Sequence, residues 1–357
     1  MVLTIVSFII VLGVLVFIHE FGHYITAKKS DIMVSEFALG FGPKLLSKKV
    51  GETVYSIRAI PLGGFCNMVG EFPADESMTE KEKEVYDRAK EKGRLFTQKS
   101  TFKRLAVILM GPIMNFLLAA LIFILAFAVF GVPTSTTEDA VLGEVIPQQP
   151  AAEAGLRTND RILAINGQQI NSWEEMSQLI RENADQQITI RYQRDQEINT
   201  ISLTPVLSEE GDRGVIGIYP QLLREGVSIF KAFSLGLEQT YRVFTMTIMG
   251  FVQMFRESSA EDIGGPIMIA SIIGQAARVG ILNVLNWTAI ISINLGIINL
   301  LPFPALDGGR ISFIIIEMIR GKAIDPRKES YVHMIGFAIL MLLMLFIIYN
   351  DLMRTFF

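Results

Sequence analysis

The chain has 357 residues, half of them hydrophobic, with 32 Lys or Arg against 36 Asp or Glu and a formal net charge of −4. This is too apolar for an ordinary soluble protein and predicts several membrane spans. The lone cysteine, Cys66, excludes an internal disulfide framework and a cysteine-built zinc site, and no nucleic-acid partner is expected.

The first predicted span covers residues 3–27. It lacks a basic start and a small-residue cleavage site, so it reads as retained and not as a cleaved signal. No charged side chain occurs from Met1 to Ile18; then His19, Glu20 and His23 fall within five positions. Residues i and i+4 share a helix face, so His19 and His23 can point at one metal ion while Glu20 reaches a water beside it. His-Glu-x-x-His is the arrangement of zinc hydrolases, two imidazole ligands and a general base. An ionisable residue inside a span costs about 2.5–3.5 kcal/mol on insertion scales, so three together argue for function. The alternative is an interfacial polar cap at a helix end, and a third ligand elsewhere decides between the two.

Between Tyr24 and Arg104 stand fifteen Lys or Arg. Within that loop, residues 51–70 carry alternating β-branched Val54, Ile57 and Ile60 before Gly63-Gly64, and predict a membrane-associated β-hairpin. Backbone at that depth must be paired or line a cavity, and an open edge accepts an extended peptide as an added strand. Ile57, Ile60, Gly63 and Gly64 are therefore candidate substrate-binding residues; a hairpin that merely packs on the bundle is the alternative. Residues 73–99 are dense in charge and predict a solvated cytoplasmic helix or tether. The second span covers 105–130, with Gly111-Pro112 in its first turns.

Residues 135–208 predict an inserted α+β module. A strand at 141–145 leads to a turn and short helix at 147–155, and a second strand at 160–165 ends in the Asn166-Gly167 turn. Ser172 caps a helix at 173–181, with Glu175 completing a capping box; a hairpin at 187–193 and 199–203 closes the module. Residues 132–225 hold seven Arg, no Lys and fifteen Asp or Glu. The positive-inside rule then places the first loop in the cytoplasm and the module outside. Arg310, Arg320, Lys322, Arg327 and Lys328 put a later loop inside again, so residues 225–280 must cross an even number of times. They are expected as amphipathic helices on the outer membrane surface, broken at Ile263-Gly264-Gly265-Pro266. The third span covers 282–301 and the fourth 332–352, with both termini outside.

The third span ends Asn299-Leu300-Leu301-Pro302-Phe303-Pro304-Ala305-Leu306-Asp307-Gly308-Gly309. The prolines break the helix and the glycines allow a sharp turn, which leaves Asp307 on unwound backbone. Spans one and three run in the same direction, so His19, His23 and Asp307 lie at similar depth near the cytoplasmic face. Two His and one Asp leave one tetrahedral position for water, as catalytic zinc requires. Zinc, one ion per chain, is the expected cofactor, and Glu20 the base that passes a proton to the leaving amine. Asn299 offers an amide to a substrate carbonyl or oxyanion, with an interhelical contact as the alternative; Pro302 and Pro304 are further substrate-contact candidates. His333 is expected at the membrane interface and Cys66 as a packed thiol.

The His19–His23 motif, the segment from Asn299 to Gly309, Gly-Pro-Ile-Met-Asn at 111–115, LGFGPKL at 39–45 and IPLGGF at 60–65 together resemble the bacterial site-2 proteases, peptidase family M50, of the RseP/RasP type. The resemblance covers essentially the full length. Ala154-Gly155-Leu156, Asp160 and Asn166-Gly167 in the module resemble a PDZ domain of the bacterial protease type, which binds peptide ends by strand addition; a spacer that blocks access is the alternative. Many proteobacterial members carry two tandem PDZ domains, and this chain has room for one.

The resemblance implies a multi-pass α-helical protein of the bacterial inner or plasma membrane. Residues 1–131 and 282–357 form its four-helix core, 135–208 its PDZ domain. It also implies a zinc metalloendopeptidase that cuts transmembrane segments of single-span proteins, such as anti-sigma factors and signal-peptide remnants, after a first extracytoplasmic cut. Two rivals stay open on the residues alone. One is a membrane adaptor whose PDZ module recruits partners while the zinc is structural. The other is a transporter with a polar ion path, which lacks the inverted repeat of that class.

Overall fold

A computed structural model describes residues 1–72, 78–136, 139–146, 149–208, 213–257 and 265–356. The uninterrupted apolar start of the chain forms α1 (Val2–Lys29), which ends on Lys28 and Lys29, cations suited to a helix C-terminus. Two long strands follow, β1 (Val34–Val50) and β2 (Thr53–Met68). Residues 51–70 do not fold back on themselves as the expected hairpin: they form the single strand β2, and both of its halves pair with β1 instead. Val34–Leu39 pairs in antiparallel register with Gly64–Met68, and Lys44–Val50 with Thr53–Arg58. Glu36–Leu39 also faces Val54–Ile57, so β1 doubles back and each element contributes twice. Gly40 and Gly42, at φ 87° and 82°, make that reversal possible where a side chain would be strained.

Of the charged segment 73–99, residues 73–77 lie outside the described residues. Thr79 opens α2 (Glu80–Glu91) with a closed capping box, its main-chain N–H donating to Glu82 Oε2 at 2.8 Å. Then comes α3 (Thr101–Phe130), with Pro112 inside it. Buried Ala27, Val34, Phe37, Cys66, Met68, Phe96, Val107 and Ile108 join α1, the sheet and α3 in one apolar core.

Residues 127–232 form a second compact unit. It begins and ends in a two-stranded ribbon, β3 (Val132–Thr136) against β12 (Leu222–Glu225). Between them, in chain order, run β4 (Leu142–Val145), α4 (Pro150–Glu153), β5 (Arg161–Ile165), β6 (Gln168–Gln169), α5 (Trp173–Glu182), β7 (Ile188–Arg194), β8 (Glu197–Leu203), β9 (Val206–Leu207), β10 (Gly214–Val215) and β11 (Ile218–Pro220). The main sheet has the order β6-β5-β7-β8. Asn166 and Gly167 both adopt positive φ between β5 and β6, the type I′ geometry this dipeptide favours. Ser172 Oγ accepts from Glu175 N at 3.2 Å, but the expected capping box is not closed: Glu175 Oε2 takes the N–H of Asn171, one residue further back. Leu142, Ile162, Ile165, Met176, Ile188 and Ile190 fill the core. Asp160, 1 % exposed, is held by both arms of Arg194 at 2.7 Å and by Arg157 N at 2.8 Å.

The first unit resumes with α6 (Ile229–Glu257), α7 (Pro266–Val279), α8 (Ile281–Leu300), α9 (Asp307–Arg320) and α10 (Pro326–Phe356). Ile263 and Gly264 of the expected break lie outside the described residues; Pro266 opens α7. α6 does not lie flat on one surface. Its Gly236 meets Ile124 of α3, Phe244 packs edge-on to Phe116 at 5.7 Å, and Thr247 Oγ1 donates to Asn294 Oδ1 of α8 at 3.0 Å. Twelve residues of α6, Gly236 to Thr247, about 16 Å of helix, therefore run lengthwise along α3 and α8. α7 packs on α1 through Gly274 and Thr4, and its N-terminus is capped by buried Asp351 of α10, which accepts from the N–H groups of Gly265, Ile267 and Met268. Among the described residues four helical stretches are long and apolar enough to cross a membrane: Val2–Lys29, Thr101–Phe130, Ile281–Leu300 and Arg327–Met353.

Candidate metal centre

The site forms where α1 and α3 cross, and glycine on both helices permits the crossing. A Cβ on Gly22 would strike the Met110 carbonyl, and one on Gly111 would strike the His23 ring. That close approach sets His23 Nδ1 at 2.9 Å from the Val107 carbonyl. The same helix face carries Asn115, wholly buried one turn beyond Gly111, and Ser292 Oγ of α8 donates to its carbonyl at 2.7 Å. α8 approaches because Gly296 leaves room beside Phe116 and the Pro112 carbonyl.

Asp307 comes from the far end of α8. It is not on unwound backbone as expected: it is the first residue of α9, with Leu306 as N-cap. A carboxylate is favoured at that position by the helix dipole. The unwound stretch is shorter, from Leu301 to Leu306. Cβ atoms on Gly308 or Gly309 would collide with the carbonyls of Leu301 and Phe303, so only glycines let α9 start this close to the end of α8.

His19 Nε2 and His23 Nε2 stand 3.2 Å apart, and 3.1 and 3.3 Å from Asp307 Oδ2. A tetrahedron with zinc–ligand bonds of 2.0–2.1 Å has edges of about 3.3 Å, so the three atoms have the spacing of one tetrahedral face. Among the described residues no other group of three His, Cys, Asp or Glu converges like this. His23 Nδ1–H donates to Val107, which leaves the Nε2 lone pair facing the centre. Asp307 Oδ2 is buried and makes no hydrogen bond. Two lone pairs and a carboxylate oxygen directed at one point repel unless a cation lies between them, so the donor set fits zinc.

Asn115 supports the same reading. Its Nδ2 lies 3.1 Å from His19 Nδ1, while its Oδ1 is buried without a partner. Turning the amide over exchanges the two atoms without changing the shape of the side chain. Oδ1 then accepts from His19 Nδ1–H, and His19 Nε2 presents its lone pair to the centre.

Glu20 lies on the same turn of α1, within electrostatic reach of His19, His23, Asp307 and Arg310. A Cβ on Gly64 would sit 3.3 Å from Glu20 Cγ, so the Gly63-Gly64 end of β2 passes directly beside it. Gly64–Met68 is paired on one side only, with Val34–Leu39. Ile57 is different: it faces both Leu39 and Leu46, on a strand flanked on both sides, so it cannot accept an added strand. Ile60 lies opposite Phe41 and is half-exposed. Asn299 is in the last turn of α8 and partly buried, and Pro302 is exposed. Pro304 packs on Gly336 of α10. Cys66 is buried, and burial pushes its thiol up. Gly111 and Asn115, which the sequence marks only as parts of the 111–115 motif, share one face of α3 by their four-residue spacing, and Val107 carries no signal in the sequence at all. His333, expected at the membrane interface, is 7 % exposed and accepts from Ala305 N.

Two histidines on a helix of spanning length, a carboxylate at the start of α9 and a glutamate alongside define a membrane-bound zinc hydrolase. The chain belongs to peptidase family M50, whose profile matches residues 7–343, and is a zinc metalloprotease. It is 37% identical to the zinc metalloprotease RasP of Oceanobacillus iheyensis across 99% of both chains. It is 34% identical to the regulator of sigma-W protease RasP of Bacillus subtilis, again across 99% of each. A putative zinc metalloprotease of Clostridium acetobutylicum is 36% identical over 97% of this chain and 96% of that one. The solved PDZ domain of an SdrC-like protein from Listeria monocytogenes is 22% identical, covering 24% of this chain and 92% of that one at a TM-score of 0.22.

Proposed function

We propose that this chain is an intramembrane site-2 protease that cuts single-span proteins within their spanning segment, with one zinc ion held by His19, His23 and Asp307. The observation that carries this is the convergence of three ligand atoms at 3.1–3.3 Å beside Glu20, near the basic end of a helix long enough to span. Zinc bound there supplies a Lewis acid that polarises the scissile carbonyl and acidifies a water. The Glu20 carboxylate takes the proton of the attacking water and delivers it to the departing amide nitrogen. The substrate, unwound locally, lies as an added strand along Gly63 to Met68, the segment paired on one side only. Asn299 donates to the scissile carbonyl oxygen as it gains charge, and Pro302 lines the approach.

The natural substrates in this reading are remnants of anti-sigma factors or signal peptides, already shortened outside the membrane. The name of the Bacillus subtilis relative, regulator of sigma-W protease, supports the first class. The charge pattern supports a cytoplasmic first loop, extracytoplasmic termini and an extracytoplasmic module at 135–208, which in this reading is a PDZ domain that binds a peptide end or screens ectodomains. The decisive experiment is Glu20→Gln in detergent or vesicles. It is expected to keep stoichiometric zinc by metal analysis and to lose cleavage of a model single-span substrate by at least about a thousandfold. Normal cleavage by that variant would remove Glu20 from the role of base.

A further inference from the structure

His333 stands on the last span, far in sequence from His19 and His23, yet it is 93% shielded and touches the turn that delivers Asp307. Phe303-Pro304-Ala305-Leu306 is a β-turn, closed by Leu306 N donating to Phe303 O at 3.1 Å. Pro304 occupies its second position, and Ala305 its third with φ 77°. That is a type II turn, whose third position ordinarily calls for glycine. Alanine there is strained in the left-handed region, and its N–H has no place in the turn's own hydrogen bond.

The neighbouring helix α10 takes up both. Ala305 N donates to His333 Nδ1 at 2.9 Å, and one turn along the same face Gly336 lies directly against Pro304. The His333 ring is further fixed against Phe313 of α9 at 5.5 Å. An acceptor at Nδ1 means the ring carries its proton on Nε2, 3.9 Å from Glu329 Oε1. Two residues after Ala305 comes Asp307, whose Oδ2 must meet two imidazoles at once.

We propose that His333 is a positioning residue for the metal centre: by accepting the Ala305 N–H it holds a non-glycine type II turn in register and so fixes Asp307 against His19 and His23. The proposal rests on Asp307 being a zinc ligand, and goes beyond it by making the last span part of the site's support.

The test is zinc affinity by competition with a chromophoric chelator, in purified full-length protein, with thermal unfolding of the zinc-free form as the control for folding. His333→Leu removes the acceptor and is expected to weaken zinc at least about tenfold, in the range seen when outer partners of ligands are lost. His333→Asn keeps an acceptor at the place of Nδ1 and is expected to bind zinc as wild type does. Ala305→Gly, which adopts positive φ freely, is expected to restore the affinity of His333→Leu. Wild-type zinc binding by His333→Leu overturns the proposal, as does a double variant no better than the single. Where His333→Leu does not fold, His333→Asn decides, since weak zinc binding in that folded variant overturns it equally. Asp307→Ala separates the two claims: if it retains zinc, the ligand assignment fails; if it loses zinc while His333→Leu does not, only the role of His333 fails.

Discussion

Asn115 is placed to set which nitrogen of His19 faces Asp307 and His23. It is wholly buried, and its side chain reaches His19 Nδ1 from α3, ninety-six residues away in sequence. Asn115→Leu removes the acceptor for Nδ1–H and frees His19 to adopt the wrong tautomer. Zinc affinity is expected to fall by about ten- to a hundredfold, measured by chelator competition. Asn115→Asp keeps an acceptor and is expected to retain zinc; equal affinities for the Leu and wild-type proteins would remove Asn115 from the support of His19. At this scale legibility followed sequence distance. The four-residue spacing of His19 and His23 is a local helical fact, and Asp307 was found because its Pro- and Gly-rich surroundings mark a helix end. The contacts of Val107, Asn115 and His333 are made only in three dimensions, so no local sequence pattern marks them.

The sheet depends on a charge cluster at its turn. Glu52, between β1 and β2, receives Arg94 Nη1 at 2.6 Å and Nη2 at 2.8 Å, and Lys28 Nζ at 2.5 Å from the end of α1. The Arg94 hydrogen bonds come first among the causes that hold its carboxyl down to about 2, from an ordinary 4.5. A depressed carboxylate stabilises the fold fully above its unfolded pKa, and the stabilisation is lost as pH falls through the folded one. The wild type is therefore expected to exceed Glu52→Gln in stability by about 2 kcal/mol above pH 4.5, after allowance for partial exposure. The gap should close between pH 4.5 and about 2 when Tm is followed in detergent. A gap that does not change with pH would show that Glu52 acts by packing alone. The first half of this sheet escaped the sequence reading for a physical reason. Residues 39–45 interrupt any alternation with Gly40, Gly42 and Pro43, residues that serve a chain reversal and not a straight strand. α9 escaped as well, because Gly308-Gly309 opens it and glycine is a poor helix former; here close packing against the end of α8 demands it.

Across the whole molecule the four spans were legible because their apolar length leaves no alternative. α6 was not, since its Glu238, Arg242 and Gln253 suit an interfacial helix equally well, and only its run of contacts with α3 and α8 shows it lying along the spans. The second unit was legible as a separate body from its Asn-Gly turn, its capped helix and its loss of long apolar runs. Its entry and exit are adjacent: Val132 pairs with Glu225, and Arg224 Nη1 donates to the Gly131 carbonyl at 3.0 Å. This ribbon makes the unit removable. Replacing residues 140–220 by a short glycine-containing turn joins β3 to β12 and is expected to leave zinc affinity unchanged. If the unit screens ectodomains, the shortened enzyme keeps kcat/KM within about threefold on a pre-shortened single-span substrate and gains cleavage of the same substrate with a folded ectodomain. If the unit instead captures a newly made peptide end, the deletion raises KM on the pre-shortened substrate and gains nothing on the intact one. The two outcomes separate on those two substrates alone, and an enzyme unchanged on both would deprive the unit of either role.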